Sequence, residues 1–281
     1  MTSNLSKSGV SGSDWSEQAG RRWVEVQNII EGMIRPLSDA LFEAAAPAPG
    51  MRILDVGCGT GETTASLAQR VGPNGATHGI DISSDMLAAA QKKAEGAGVA
   101  VTFHEGDAQS FAFEPLVYDL IFSRFGVMFF EDADAAFANL ARATKAGGRF
   151  TALVWRSAEE IPFMTAGERA AAPLLPDLAP RTDDAAGQFG FANAERVAGI
   201  LERSGWRNPA AIALDEVCSL SKADLPTYVG ALGPVGRIMP SLSEAKRAEV
   251  MGAVVPAFDE FVDGEEVRFT AACWILTADR G

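Results

Sequence analysis

Apolar residues recur along this chain with two different periods, and the alternation of these periods predicts its architecture. Short apolar runs predict strands at 51–56, 76–81, 99–104, 118–123 and 150–155. Between these runs, apolar positions spaced by three and four predict helices at 62–71, 83–95 and 132–145. Strands this apolar that alternate with helices favour an α/β fold, in which a mostly parallel sheet is covered by helices on both faces.

Helical patterns also dominate the chain on both sides of this region. An apolar stripe that begins at Trp15 and includes Trp23 predicts an N-terminal helical cap over 15–46, preceded by a disordered polar tail over 1–14. The domain that follows, 47–281, contains two proline-broken segments at 157–190 and 222–262, which we expect to be helical insertions. A helix at 193–204 and two further strands, at 211–219 and 267–278, raise the number of predicted strands to seven.

Charge and rare residues exclude several classes of protein. The 281 residues include 24 Lys and Arg against 37 Asp and Glu, and the resulting net charge of −13 is a poor match for nucleic acid. Three widely spaced cysteines and two histidines form no metal-ligand motif, so we expect no metal. Because the chain also lacks an uninterrupted apolar run of about 18 residues, we expect no membrane span and a cytoplasmic protein.

The most specific string is Ile53-Leu-Asp-Val-Gly-Cys-Gly-Thr-Gly61, where a predicted strand runs into three alternating glycines and then a helix. Glycine allows a sharp turn and lets the backbone approach a ligand closely. The N–H groups at the following helix start favour an anionic group. This pattern predicts a binding loop for a small molecule.

An acidic residue strengthens that prediction. Asp81 ends the second predicted strand, 20 residues after Gly61, where a carboxylate can accept both hydroxyls of an adenosine ribose. The dinucleotide fingerprint would place its third glycine at position 62, which is Glu62 in this chain. A nucleoside triphosphatase is also disfavoured, because the chain has no phosphate-binding Gly-Lys-Ser/Thr motif.

Together these motifs resemble those of class I S-adenosylmethionine-dependent methyltransferases, in the broad group that includes the ubiquinone-biosynthesis type. The resemblance covers roughly 51–156 and also includes Gly-Asp-Ala-Gln after the third strand and Gly147-Gly148-Arg149 before the fifth. It implies a Rossmann-like seven-stranded sheet in the order 3-2-1-4-5-7-6 with the seventh strand antiparallel. It further implies that the N-terminal helices and the two insertions form a lid.

The resemblance also implies which residues bind S-adenosylmethionine. Those expected to line its methionine half are Asp55, Gly57, Cys58, Gly59, Thr60, Gly61 and Ser123. For Asp55 a second interpretation stays open, in which it caps the adjacent helix instead of contacting the cofactor. Those expected to hold its ribose and adenine are Asp81, Ile82, Met86, Asp107, Ala108 and Gln109. Two aromatic residues of the N-terminal stripe, Trp15 and Trp23, are expected either to close this pocket or to pack in the core.

Catalytic residues are less well defined than cofactor residues. His104 ends the third strand and is a candidate general base, although local packing is the simpler interpretation. Arg124 ends the fourth strand and is either a ligand for the acceptor or a salt-bridge partner of Glu131 or Asp132. Cys58 has no histidine near it in sequence, which favours a structural role over a nucleophilic one.

The sequence therefore predicts transfer of a methyl group from S-adenosylmethionine to a small, apolar molecule by in-line displacement. It is compatible with a homodimer. Two alternatives remain open at this point: a non-catalytic S-adenosylmethionine-binding sensor or assembly protein, and a nicotinamide-dependent oxidoreductase with a variant loop.

Overall fold

The architecture is that of an α/β protein built on a single sheet. The structure is a computed structural model that describes residues 18–178, 181 and 186–281, so the predicted tail and Trp15 lie outside the described residues. The strands are β1 Arg52–Val56, β2 Ala76–Asp81, β3 Thr102–Glu105, β4 Tyr118–Arg124, β5 Thr144–Trp155, β6 Arg207–Ser221, β7 Val262–Asp263 and β8 Glu266–Asp279. The α-helices are α1 Gln18–Met33, α2 Arg35–Ala45, α3 Glu62–Val71, α4 Ser84–Gly96, α5 Ala133–Ala143, α6 Pro162–Ala171, α7 Ala194–Arg203, α8 Leu225–Ala231, α9 Gly233–Ile238 and α10 Glu244–Val254.

The strand order confirms the fold predicted from the sequence. The sheet runs β3-β2-β1-β4-β5-β8-β6, and β1 to β5 pair with one another in parallel. β8 is antiparallel to both β5 and β6, while β7 is a two-residue partner of β8. The predicted order 3-2-1-4-5-7-6 is therefore correct, with β8 as the predicted seventh strand.

Helices cover both faces of the sheet, as the apolar strands require. In the β4–β5 ladder Phe150 lies opposite Ile121, so Phe150 and Phe122 project to opposite faces. Phe42 of α2 stacks on Phe122, with ring centroids 5.3 Å apart. Phe137 of α5 meets Phe150 edge-on at 5.2 Å. Burial on both sides explains why these strands carry apolar residues at consecutive positions.

Some element boundaries differ from the prediction. The predicted helix at 132–145 ends at Ala143, and the next strand begins at Thr144 rather than at 150. Gly147 and Gly148, which were expected to precede the fifth strand, lie within β5, whose pairing with β4 is irregular between Tyr118 and Leu120. The glycines therefore accommodate an irregular strand start, which local sequence does not distinguish from a loop.

No helix in the part of the chain that the structure describes combines the length and apolarity needed to cross a membrane.

Candidate active site

The carboxyl ends of β1, β2 and β4 open into a cavity of about 600 Å³. The glycine loop and the loops after β2 and β3 line one end of this cavity, which we call the loop end. The other end, the lid end, is lined by residues of α6, α8 and α9, and α1 contributes to the wall along the cavity. A crevice at the carboxyl edge of a parallel sheet is the usual ligand site of such folds.

The three glycines of the loop have different tasks. All three adopt positive φ, which side chains disfavour. A Cβ on Gly59 would lie 3.7 Å from the nearest atom, Met86 Sδ, and Gly59 lines the cavity. A Cβ on Gly57 would lie 2.6 Å from Gly126 Cα, and one on Gly61 would lie 2.7 Å from Ala90 Cβ. Gly59 therefore keeps the cavity wall open, whereas the other two allow close packing against neighbouring elements.

Asp81 connects the glycine loop to the second strand. Its Oδ2 accepts a hydrogen bond from the Gly59 N–H at 2.8 Å, and its Oδ1 accepts one from the Ser83 N–H at 3.0 Å. Burial raises the pKa of this carboxyl, and these backbone donors oppose the rise. Asp81 lines the cavity, and a carboxylate has about four acceptor positions, so it can also accept hydroxyl groups of a ligand.

The remaining residues predicted for the adenosine half lie beside Asp81. Ile82 and Met86 line the cavity, as do Asp107, Ala108 and Gln109. The Asp107 carboxylate accepts hydrogen bonds from the Gln109 backbone N–H at 2.8 Å and from its side-chain amide at 2.7 Å. These contacts orient the turn after β3, so the two acids at the ends of β2 and β3 both face the loop end.

Asp55 lies behind the loop and is absent from the cavity wall. Its side chain is fully buried, and Oδ2 accepts hydrogen bonds from the Thr63 and Thr64 hydroxyls at 2.8 and 2.7 Å. Burial raises its pKa to about 6, although both hydroxyls oppose the rise. Asp55 thus joins β1 to the first turn of α3, which fixes the loop between them.

Two other residues predicted to bind the cofactor also support the wall from behind. Ser123 is fully buried, donates to the Val56 carbonyl at 2.7 Å and accepts from the Gly126 N–H at 3.2 Å. Gly61 packs on α4 and likewise does not belong to the lining. Residues that line the cavity and residues that support the loop from behind belong to the same sequence motif. The sequence pattern therefore does not separate these two groups.

Cys58 and Thr60 lie in the loop and line the cavity. Burial, followed by the nearby acids Asp81 and Asp55, raises the pKa of the Cys58 thiol well above its usual value. The thiol is therefore protonated at neutral pH and is a poor nucleophile. Its sulfur packs closely on β2, where a Cβ on Gly79 would lie 2.9 Å away from it.

The candidate base His104 does not reach the cavity. Its Nε2 lies 3.2 Å from His78 Nδ1, which is also 3.1 Å from the Tyr118 hydroxyl, and its ring packs on Phe111. Burial lowers the pKa of both histidines. The side chain of His104 thus points along the face of the sheet towards β2 rather than over its edge, and the cavity lining does not include it.

Arg124 does line the cavity, but its partner is not one of the acids considered in the sequence. Its guanidinium forms a two-pronged ion pair with Glu31 of α1, with N···O distances of 2.5 and 2.7 Å, and also donates to the Ser38 hydroxyl at 2.7 Å. Glu31 is 93 positions away from Arg124 along the chain. The predicted pairing with Glu131 or Asp132 is therefore wrong. The ion pair between Arg124 and Glu31 instead connects α1 to the end of β4.

Trp23 lies in the same helix and lines the cavity. Its neighbour Arg22 also lines the cavity and donates a hydrogen bond of 2.8 Å to the carbonyl of Gly236 in α9. Helix α1 therefore contacts both the sheet edge and the helices at the lid end.

The lid end is mainly apolar. Phe125 adopts a left-handed φ of 64°, and its ring stacks on Trp155 with centroids 4.3 Å apart. Strain of this kind in a non-glycine residue is tolerated where surrounding contacts enforce it, and often lies at a functional site. Further apolar residues of this wall are Met128, Phe129, Phe130, Phe163, Met164, Val229, Leu232, Val235, Val254 and Phe258.

A small polar cluster interrupts the apolar lid end. Arg181 forms an ion pair with Glu168 and donates hydrogen bonds to the Gln188 side chain and to the Met164 carbonyl. The Tyr228 hydroxyl lies 3.7 Å from the Met164 sulfur. Sequence reasoning missed these residues, because they lie in separate helices and insertions without a motif.

The glycine loop, the two acids that follow β2 and β3 and the apolar chamber are arranged as in Rossmann-like domains, whose nucleotide-containing ligands bind at this edge of the sheet. Residues 53–148 match the family model of the methyltransferase domain. This match agrees with the resemblance seen in the sequence and covers the strands and loops that form the loop end of the cavity.

Known proteins resemble different shares of the chain. It is 36% identical over 132 residues to aklanonic acid methyltransferase DauC of Streptomyces sp. (strain C5), covering 46% of this chain and 60% of that protein. It is 35% identical over 116 residues to nocamycin O-methyltransferase of Saccharothrix syringae, covering 41% of each chain. The chain therefore spans 60% or less of these relatives. The YcgJ protein from Bacillus subtilis shares the fold, with a TM-score of 0.56 at 16% identity over 88% of this chain and 98% of that one.

Proposed function

We propose that this protein transfers a methyl group from S-adenosylmethionine to a small, largely apolar molecule. The observation that carries the proposal is the continuous cavity in which the Gly59 loop and Asp81 lie at one end and the Phe125–Trp155 wall at the other. A cofactor that occupied the first part would present its reactive group to a molecule held in the second.

The residues at the loop end fit the cofactor. Asp81 would hold the ribose hydroxyls, and Ile82 and Met86 would enclose the adenine ring. The backbone at Gly59 would let the methionine half approach, because no side chain fills that space. Nearby acids also suit a cofactor that carries a positive charge.

The bound cofactor supplies an electrophilic methyl group, so the protein needs to position the acceptor rather than to activate the donor. The end of β4 holds Arg124 between the two halves of the cavity, directly before Phe125 of the lid end. The ion pair between Glu31 and Arg124 holds α1 across this junction. Fixed alignment of two reactants can contribute about 7–11 kcal/mol to lowering a barrier.

We further propose that the cap over 15–46 and the insertions over 157–190 and 222–262 act as the lid that selects the acceptor. Described residues from all three segments line the cavity, including Glu31, Phe163 and Tyr228, which supports this assignment. A cytoplasmic location and a homodimer stay predictions from the sequence. Light scattering on the purified protein would test the homodimer directly.

Calorimetric titration with S-adenosylhomocysteine tests the cofactor site. Asp81→Asn should weaken binding by about tenfold or more, because it removes charge-assisted hydrogen bonds worth about 1.5–3 kcal/mol. Asp85→Asn is a matched control, because Asp85 is an exposed acid four positions later that pairs only loosely with Arg21, at 3.7 Å. Equal affinity for all three proteins would contradict the assignment of Asp81.

Turnover tests the reaction itself. Formation of S-adenosylhomocysteine should rise when apolar ring-containing acceptors are added, and the methyl label of the cofactor should appear in the product. Tight cofactor binding without turnover across a broad acceptor panel would favour the non-catalytic sensor. Competition by NAD(H) for the same site would favour an oxidoreductase instead.

A further inference from the structure

Helix α8 brings a tyrosine to the wall of the cavity. Leu225 and Val229 lie four positions apart and are buried, so they form the inner face of this helix. Tyr228 is three positions after Leu225, which places it on the same side of the helix, and both Tyr228 and Val229 line the cavity. Tyr228 is therefore part of the wall at the lid end.

Most of the wall around Tyr228 is apolar. Its ring centroid lies 5.9 Å from that of Phe163, and Leu232, Val254 and Phe258 line the same end of the cavity. Apolar contacts bind a ligand without a preferred direction, so they do not select one orientation of it. The orientation of a molecule in such a chamber depends on the few polar groups of the wall.

The charged groups beside Met164 are engaged with other parts of the protein. Arg181 forms an ion pair with Glu168, in which the two side chains are 12% and 13% exposed. Arg181 also donates hydrogen bonds to the Gln188 side chain and to the Met164 carbonyl. These contacts fix the backbone at Met164, whose sulfur is in contact with Tyr228.

The Tyr228 hydroxyl differs from this cluster because its contact within the protein is weak. Among the described residues it has one hydrogen-bond partner, Met164 Sδ at 3.7 Å, and a thioether sulfur is a weak acceptor. Buried tyrosine hydroxyls usually find a stronger partner. Burial raises the pKa of Tyr228 to about 12, although the charge of Arg181 opposes the rise, so the hydroxyl is protonated at neutral pH. It can therefore donate to a better acceptor.

Met164 allows a ligand to take its place at the hydroxyl. Its side chain also lines the cavity, so the contact between the hydroxyl and the sulfur lies at the wall rather than behind it. A methionine side chain has three rotatable bonds and adapts readily to its surroundings. An oxygen atom that enters the lid end can thus replace the sulfur as the partner of Tyr228.

We propose that Tyr228 orients the methyl acceptor by donating a hydrogen bond to an uncharged carbonyl oxygen on an otherwise apolar molecule. An uncharged oxygen suits a neutral donor in an apolar wall, because a buried charge would require a partner of its own. The inference rests on the proposed function, because it treats the lid end as the acceptor half of the cavity. Orientation matters for that reaction, since methyl transfer requires the attacking atom of the acceptor to lie in line with the methyl group.

Matched pairs of probes measure this hydrogen bond. The ketones 2-acetylnaphthalene and acetophenone are compared with the hydrocarbons 2-isopropenylnaphthalene and α-methylstyrene, in which a CH₂ group replaces the oxygen. Each probe is titrated calorimetrically into protein saturated with S-adenosylhomocysteine. For at least one pair, the ratio of ketone to hydrocarbon affinity should fall by about threefold or more in Tyr228→Phe, as expected for the loss of one neutral hydrogen bond. The proposal is overturned if neither pair shows this fall.

A second variant separates ligand binding from support of the wall. Met164→Leu removes the sulfur but keeps the Tyr228 hydroxyl, so the ratio of ketone to hydrocarbon affinity should stay at the parent value or rise. If Tyr228 acted only by holding Met164 in place, Met164→Leu would lower the ratio as Tyr228→Phe does. That result would contradict the assignment of Tyr228 as a ligand donor.

Tyr118→Phe is a matched control, because Tyr118 lies beside His78, outside the cavity lining. It removes a tyrosine hydroxyl as well and should leave the ratio unchanged. A fall in this control equal to that in Tyr228→Phe would overturn the placement of the hydrogen bond. Circular dichroism of each variant establishes that it is folded before its affinities are compared.

Titrations with S-adenosylhomocysteine alone separate this inference from the proposed function. If the protein does not bind S-adenosylhomocysteine but shows the Tyr228-dependent ketone preference, the donor at the lid end is supported and the cofactor assignment is contradicted. If S-adenosylhomocysteine binds normally and the preference does not depend on Tyr228, the cofactor assignment stands and this inference is overturned.

Discussion

The buried carboxyl of Asp55 makes a quantitative prediction about stability and pH. It lies at the base of the glycine loop, where its Oδ2 accepts hydrogen bonds from two threonine hydroxyls and its Oδ1 has no hydrogen-bond partner among the described residues. Replacing it by asparagine keeps the shape and one oxygen acceptor but removes the ionisation. The Asp55→Asn variant therefore isolates the free energy of charging this group inside the protein.

The magnitude follows from the raised pKa. Burial shifts the pKa of Asp55 from 3.8 to about 6, and one pKa unit corresponds to about 1.4 kcal/mol, so ionisation costs the folded state about 3 kcal/mol. The folded protein keeps this proton between pH 4 and 6, where the unfolded chain has lost it. Stability contributed by the protonated form is therefore lost as the pH rises through this window, and about 2 of the 3 kcal/mol disappear between pH 4.5 and 7.5.

Urea unfolding at several pH values measures this effect. The free energy of unfolding of Asp55→Asn minus that of the parent protein should increase by about 2 kcal/mol from pH 4.5 to 7.5, because all other groups cancel in the difference. Asp119→Asn should show the opposite slope and only at lower pH, because Lys145 and the Arg52 N–H lower the pKa of Asp119 against the effect of burial, so its stabilisation is lost as the pH falls below the usual value of 3.8. A difference for Asp55→Asn that is independent of pH would refute the reasoning.

Three further predictions concern the loop, the α1 contact and the discarded base. Gly61→Ala should destabilise the protein by about 2–5 kcal/mol in urea unfolding, from positive φ plus overlap with α4, whereas Gly59→Ala should cost about 1–2 kcal/mol; equal losses would contradict their different roles. Arg124→Gln should lower the free energy of unfolding by about 2–4 kcal/mol, because it leaves the largely buried Glu31 carboxylate without its ion-pair partner. The double variant with Glu31→Gln should recover part of this loss, and additive effects of the two substitutions would argue against their coupling. His104→Phe should change the affinity for S-adenosylhomocysteine by no more than about twofold. A larger change measured by calorimetry would show that His104 contributes to the ligand site.

The core fold could be predicted because its determinants are local. Consecutive apolar residues indicate each central strand, and apolar residues spaced by three and four indicate each crossover helix. The loop between β1 and α3 is likewise encoded in contiguous residues, from Asp55 to Gly61. The start of β5 could not be predicted, because Gly147 and Gly148 are compatible with a helix stop and with an irregular strand alike.

The site was less predictable wherever it depends on residues distant in sequence. The pairing of Arg124 with Glu31 joins positions 93 apart, and no local pattern selects Glu31 over acids nearer in the chain. Asp55 follows the same motif spacing as a cofactor ligand, but its burial behind Thr63 and Thr64 decides its role. His104 does lie in the third strand, which ends one residue later than predicted, at Glu105, but the direction of its side chain depends on the ladder that brings it to His78.

The two ends of the cavity are built in different ways, and this has an evolutionary consequence. Residues at the loop end are held by the backbone of the central sheet, so substitutions such as Gly57→Val would disturb the fold itself. The lid end depends on side chains of helices such as α6 and α8, outside the segment 53–148 that matches the family model. Under the proposed function, selection can exchange one acceptor for another by replacing residues of these helices, while the loop end proposed to bind S-adenosylmethionine is inherited unchanged.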